Sequence, residues 1–174
     1  MGNLSNLVVE TILNRSSVRS YRSDQIDEQA LSVILKCGLR APNGWNHQPW
    51  DIICVQDKTF LDELNFAITS DSNGSVFYHA PTVVFISGDR NDEYYATDCP
   101  LAAENMIIAA ASLGIGSCII AYLSNFLNGQ LGQTYKKKLG IPENYEVCVA
   151  IAFGYSTISA YLQSSRNESK IRKY

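Results

Sequence analysis

Ala41-Pro42-Asn43-Gly44-Trp45-Asn46-His47-Gln48-Pro49-Trp50 separates an apolar helical pattern from an apolar run, and its reading governs how the two can meet. Pro42 and Pro49 restrict φ and push the residues before them out of helical geometry, while Gly44 permits a turn that a side chain would hinder. A helix-to-strand connection is therefore predicted here. The carboxamides of Asn43, Asn46 and Gln48 each offer donors and acceptors, which suits the edge of a heteroaromatic ligand or a sugar chain better than a metal ion. By itself the stretch serves equally well as a tight connection with Trp50 capping the core.

Upstream, Leu4, Leu7, Val8, Ile12 and Leu13 recur at helical spacing and predict an amphipathic first helix that runs into Arg15-Ser16-Ser17-Val18-Arg19. Ser23-Asp24 and Asp27-Glu28 supply N-cap chemistry for a second helix, with Ala30, Leu31, Ile34, Leu35, Gly38 and Leu39 on one face and a stop at Pro42. Downstream, Ile52-Ile53-Cys54-Val55 has the continuous apolar pattern of a strand buried on both faces, and residues 58–68 read as a helix. A polar loop at 69–75 leads to the clearest strand, 82–87. Asp98 is expected to cap a helix that is apolar nearly all round, tolerating Pro100 in its first turn and running to Leu113. Gly114-Ile115-Gly116-Ser117 closes it and opens a strand at 118–121. Leu127, Leu131, Tyr135 and Leu139 predict one further helix with Lys136-Lys137-Lys138 as its solvated end, and 147–153 is the last core strand.

Helices outnumber strands and two helices precede the first strand, so an α+β fold with a central mixed sheet is predicted over a doubly wound one. The 174 residues and 46% hydrophobic content fit a single domain spanning 1–174. From 154 to 174 the chain turns polar, with Ile158, Tyr161, Leu162, Ile171 and Tyr174 as scattered anchors; an arm without a core face of its own is expected to lie on a second subunit. A net charge of -3 provides no basic footprint, so nucleic acid is not an expected partner. Neither a secretory leader nor a membrane-spanning run is visible, and a cytoplasmic protein is expected. The five cysteines lie far apart without zinc-ligand spacing and read as buried free thiols, with no metal site expected.

Arg15 and Arg19 would share a face if the first helix persisted, and Ser16 and Ser17 would add hydroxyls to a phosphate clamp. Two surface arginines in an exit loop fit the same spacing. Arg166 stands alone in the polar tail. His47 beside Pro49 and Trp50 reads as a hydrogen-bonding or stacking residue more readily than as a base. The sequence has no phosphate-binding Gly-x-x-x-x-Gly-Lys loop, no Gly-x-Gly-x-x-Gly, no His-Glu-x-x-His and no visible nucleophile and base pair. Arginines and carboxamides without an acid/base set suit a protein whose cofactor does the chemistry.

Five segments in order resemble the FMN-dependent nitroreductase family in its short form: Arg15-Ser16-Ser17-Val18-Arg19; residues 41–50; Tyr78-His79-Ala80-Pro81-Thr82; Asp98-Cys99 through Asn105-Met106 to Gly114-Ile115-Gly116-Ser117-Cys118; and Gly154-Tyr155 followed by Arg166. The resemblance implies a nitroreductase-like α+β fold, a homodimer with exchanged tails and FMN at its interface. It implies phosphate contacts from Arg15, Ser17 and Arg166, with Ser16 where a second basic residue or histidine is common, and Arg19 near the flavin or its phosphate. Pro42, Asn43, Asn46 and Gln48 would lie at the ribityl or pyrimidine groups, Gly114 and Gly116 beside the ring, and Asn73 as a weaker pyrimidine candidate. Trp45, Phe66, Phe77, Tyr78 and Phe126 are candidates for the ring's face, though each fits a simple core more readily. The activity implied is hydride transfer from NADH or NADPH through the flavin N5 to a nitroaromatic or quinone. Specialised flavin chemistry, such as reductive dehalogenation or flavin breakdown, and a non-catalytic flavin-binding dimer stand as alternatives.

Overall fold

The computed structural model describes residues 6–158 and 165–174; Leu4, Tyr161 and Leu162 lie outside them. Helix α1 (Leu7–Asn14) is capped by the Asn6 side chain, which accepts from the Val8 and Val9 N–H groups. It ends before the Arg15 to Arg19 segment begins, so those two arginines do not share a helical face: Arg15 is already extended at φ -62°, ψ 146°. Helix α2 (Glu28–Gly38) begins under the Asp27 carboxylate, which accepts from Gln29 and Ala30. Then come β1 (Trp50–Val55), α3 (Lys58–Thr69) and β2 (Thr82–Asp89). Helix α4 (Tyr95–Ser112) starts three residues before the expected cap, so Asp98 lies inside the first turn and is buried. Strand β3 (Gly116–Ile119), α5 (Leu123–Asn128), α6 (Gln133–Lys138) and β4 (Tyr145–Gly154) complete the core.

The sheet order is β1-β2-β4-β3 and every strand pair is antiparallel, where a mixed sheet is predicted. Parallel pairing enters only at an isolated bridge between Ser17 and Ser117, where the chain leaving α1 lies beside β3. Among the described residues strand β1 pairs with β2 alone and exposes Asp51, yet Ile52 and Cys54 pack on one layer and Ile53 and Val55 on the other, so both its faces are covered. Strand β2 is the buried centre. Its Val84 and Ile86 face a layer formed by α2 and α4, with Leu31, Ile34, Ala102 and Met106 packed there. Val83 and Phe85 face the opposite layer, where Leu61 and Leu64 of α3 meet Leu123 and Leu127 of α5. Burying each such side chain contributes about 1.5–3 kcal/mol before entropy is counted, so two complete layers hold the sheet between them. Strands β2 and β4 slip register between Ile86 and Ser87, which pair with Val149 and Val147, so Cys148 is the extra residue of a bulge.

The predicted helix through Leu127 and Leu139 is two helices. Gly129 is extended at φ -75°, ψ 169° and breaks it. The break turns α6 so that Lys136 is buried and its Nζ donates to the Tyr145 carbonyl at 2.7 Å, in place of a fully solvated lysine run. Burial, then the neighbouring Arg90, holds the Lys136 ammonium below its ordinary value. None of the described helices is long and apolar enough to cross a membrane.

Candidate functional site

Helix α4 carries one array of polar groups at each end. At its C-terminal end, Arg15, Glu10, Thr11 and Asn14 surround a shallow hollow against Ala111. The Arg15 Nε is buried there with no hydrogen-bond partner among the described residues. From Arg15 the chain is extended, and the Val18 N–H donates to the Ser117 carbonyl at 2.9 Å, which seats Ser16 and Ser17 next to the start of β3. Gly116 makes this approach possible: a Cβ on it would lie 2.7 Å from Val18 Cγ2. Gly114, at φ 72°, ends α4, and the Ile115 N–H returns to the Ala110 carbonyl at 2.9 Å. Arg19 is exposed, and the neighbouring Tyr78 is the main cause holding its pKa above the ordinary value. Tyr78 itself is left-handed at φ 56°. The structure therefore brings Arg15, Ser16, Ser17, Arg19, Gly114 and Gly116 together.

At the N-terminal end of α4 sits the loop from Pro42 to Gln48. The Asp98 carboxylate accepts the Gly44 N–H at 3.0 Å, and His47 Nδ1 meets Asp92 Oδ2 at 2.6 Å. Asp92 is held below its ordinary carboxylate value first by the Tyr94 N–H and then by the His47 ring. Gly44 is required for proximity more than for its turn: a Cβ there would stand 2.2 Å from Tyr94 Cδ2. The left-handed residues are instead Trp45, Asn46 and Gln48, at φ 51°, 60° and 52°. Side-chain-bearing residues in that region cost free energy that the surrounding contacts must offset. Asn43 spends its carboxamide inside the loop, donating to the Ala41 carbonyl and accepting the Gln48 N–H at 3.0 Å. Pro42, Asn46 and Gln48 are exposed at its rim.

These two arrays are not neighbours within one chain. Gly44 is tied to Asp98 and Arg15 lies at Ala111, which at ~1.5 Å rise per residue sets them about 20 Å apart along α4. Asn73 belongs to a third place, the loop after α3, whose shape is set by Asn65: that carboxamide is buried, donates to the Asp71 and Gly74 carbonyls and accepts the Val76 N–H. Arg166 is exposed, and among the described residues no hydrogen bond or ion pair joins it to either array. Phe77 is core at 2% exposure, whereas Trp45 and Phe66 are exposed at 80% and 56%. Asp92, Asp98 and Asn65 were missed as site-shaping residues. Asn65 had a local signal, a carboxamide beside Leu61, Leu64 and Ile68 on the inward side of a helix; the contacts of Asp92 and Asp98 with the loop span more than forty residues and had none.

An arginine and hydroxyl cluster with an unpaired guanidinium nitrogen, on a domain whose second polar array is a carboxamide loop, has the donor chemistry that an anionic group such as a phosphate would satisfy. The nitroreductase family model matches residues 12–73 and 67–155, and the chain belongs to this family of oxidoreductases. It is 32% identical over 152 residues, 84% of each chain, to an Archaeoglobus fulgidus protein provisionally named NADH dehydrogenase/NAD(P)H nitroreductase. It is 29% identical over 142 residues to the FMN reductase (NADPH) of Bacillus subtilis, covering 71% of this chain and 57% of that one. Among solved structures it resembles a nitroreductase with bound FMN from Bacteroides fragilis, with a TM-score of 0.87 and 34% identity over 98% of this chain and 99% of that one.

Proposed function

We propose that this protein is an FMN-dependent oxidoreductase, acting as a homodimer, whose bound FMN carries hydride through its N5 from NADH or NADPH to a small planar acceptor, a nitroaromatic or a quinone. The observation that carries the reading is the buried Arg15 Nε without an acceptor. A buried donor left unpaired costs about 1–3 kcal/mol, and a phosphate oxygen would remove that cost with a charge-assisted bond. Ser16 and Ser17 would add hydroxyl donors to the same phosphate. Arg19, beside Tyr78, would set positive charge beside the ring and offset negative charge on its reduced pyrimidine edge. Gly114, open on its side-chain side, leaves room for a planar ring to approach the backbone, while Gly116 seats the Val18 segment beside it, and Asn73 would reach the pyrimidine from the loop after α3.

The roughly 20 Å between the arrays supports the dimer, because a second copy can offer its Asn46 and Gln48 where this chain offers Arg15. The partner's natural seat is the face of α1, α2 and α4, where Val8, Ile12, Val33 and Leu113 are exposed although apolar. Residues 154–174 would then lie as an arm on the partner and bring Arg166 to the phosphate. All five cysteines are free, which suits a reducing cytoplasm.

A visible spectrum of the purified protein, followed anaerobically through additions of NADH and then NADPH, tests the reading. Flavin bands that bleach support it and identify the donor. A protein that is colourless and takes up no added FMN overturns it, and bands that persist with both nucleotides overturn the nicotinamide half-reaction.

A further inference from the structure

Two thiols outside the cofactor arrays converge on Gly88. Cys99 lies in α4 and is fully buried, and a Cβ built on Gly88 would stand 2.8 Å from its Sγ. Cys148 is the extra residue of the β4 bulge. The bulge breaks the alternation of side chains, so Cys148 and Val149, consecutive in sequence, both face α4, while Val147 and Ala150 face the other layer. Cys148 thereby faces the layer that holds Cys99; its thiol donates to the Glu146 carbonyl at 3.4 Å, and the Gly88 N–H is among the groups that hold it down. Each thiol is the main influence on the other: Cys148 holds the Cys99 thiol up, and Cys99 holds the Cys148 thiol down. Cys148 is half-buried and so open to a small oxidant, whereas Cys99 is fully buried.

We propose that Cys148 and Cys99 form a peroxide-reactive pair that closes to a disulfide between β4 and α4. The Cys148 sulfur attacks one oxygen of hydrogen peroxide, the O–O bond breaks, and the departing hydroxide takes the thiol proton to leave as water. Cys148 is then a sulfenic acid. The Cys99 sulfur attacks the Cys148 sulfur, forming the S–S bond, and the displaced hydroxide takes the Cys99 proton as a second water. Two thiols are oxidised and one peroxide is reduced to two waters. Cys99 directly follows Asp98, so the new bond tethers the turn of α4 that holds the Gly44 loop.

The test is to expose the reduced, full-length protein to hydrogen peroxide, alkylate it under denaturing conditions with iodoacetamide, and map its peptides by mass spectrometry. The expected result is loss of two of the five alkylatable thiols, a linked pair of peptides containing Cys99 and Cys148, and recovery of all five with dithiothreitol. Cys54→Ser is expected to form the same link, and Cys148→Ser to keep its four remaining thiols. An unchanged thiol count, a sulfinic acid on Cys148 with Cys99 still alkylated, a link between two protomers, or a bond to any other cysteine overturns the proposal. The wild-type peptide map decides by itself if a variant fails to fold.

Discussion

The carboxylate of Asp98, buried in the first turn of α4, accepts the backbone N–H of Gly44 at 3.0 Å. This single bond, with the His47 and Asp92 contact beside it, fixes a loop whose Trp45, Asn46 and Gln48 all sit at positive φ. Without such anchors a loop of that conformation would relax toward commoner backbone geometry.

Asp98→Ala leaves the Gly44 N–H without its partner and is expected to destabilise the fold by about 1–3 kcal/mol, with Asp98→Asn costing less because it keeps an acceptor. Urea unfolding of the three proteins measures it. Equal midpoints for wild type and Asp98→Ala would show that the bond does not anchor the loop.

Arg15→Ala is expected to weaken FMN retention by about 1–3 kcal/mol, roughly five- to 150-fold in affinity, without lowering the unfolding midpoint of the cofactor-free protein. Titration of the apoprotein with FMN, read by flavin fluorescence, separates the two effects. Unchanged affinity counts against the phosphate clamp.

Gly116→Ala would drive a methyl group to 2.7 Å from Val18 Cγ2. The segment carrying Ser17 and Arg19 must shift away from β3, so a loss of about 1–3 kcal/mol in stability is expected together with weaker FMN binding. Thermal unfolding and the same titration measure both, and a neutral result in the two assays would show that the segment yields freely.

Val8→Glu and Ile12→Glu replace exposed apolar side chains, at 60% and 48% exposure, on a helix with no buried residue. In an isolated chain they are close to neutral. In a homodimer seated on this face they bury an unpaired charge, and sedimentation should show monomers that no longer retain FMN. A variant that sediments like the wild type would place the subunit interface elsewhere.

Asp92 has a depressed pKa in the folded protein, held there by the Tyr94 N–H and His47, against an ordinary value of 3.8. Its share of stability is therefore full above the unfolded value and is lost as pH falls through the folded one. Asp92→Asn should lose less of its thermal stability than the wild type when pH is lowered from about 6 to about 2, and parallel profiles would remove Asp92 from the acid response.

Local chemistry in the sequence determined most of the elements. Apolar periodicity located α2, α3 and β2, Asp27 and Asp57 are the caps such residues are expected to be, and Gly114 ends α4 as a left-handed glycine should. The motif residues Arg15, Ser17, Arg19, Asn46 and Gln48 were legible as site candidates from their types and order. Sequence periodicity misjudged what depends on distant partners: Gly129 splits a helix and Lys136 reaches Tyr145, and the sheet is antiparallel throughout where a mixed one is predicted. The division of the candidate site into two ends of α4, the use of the Asn43 carboxamide within its own loop, and the meeting of Cys99 with Cys148 were decided only by the tertiary structure. Hydrogen-bond and apolar propensities act over a few residues and are written in the local sequence, whereas which surfaces meet is set by packing two layers onto one sheet, a property of the whole chain.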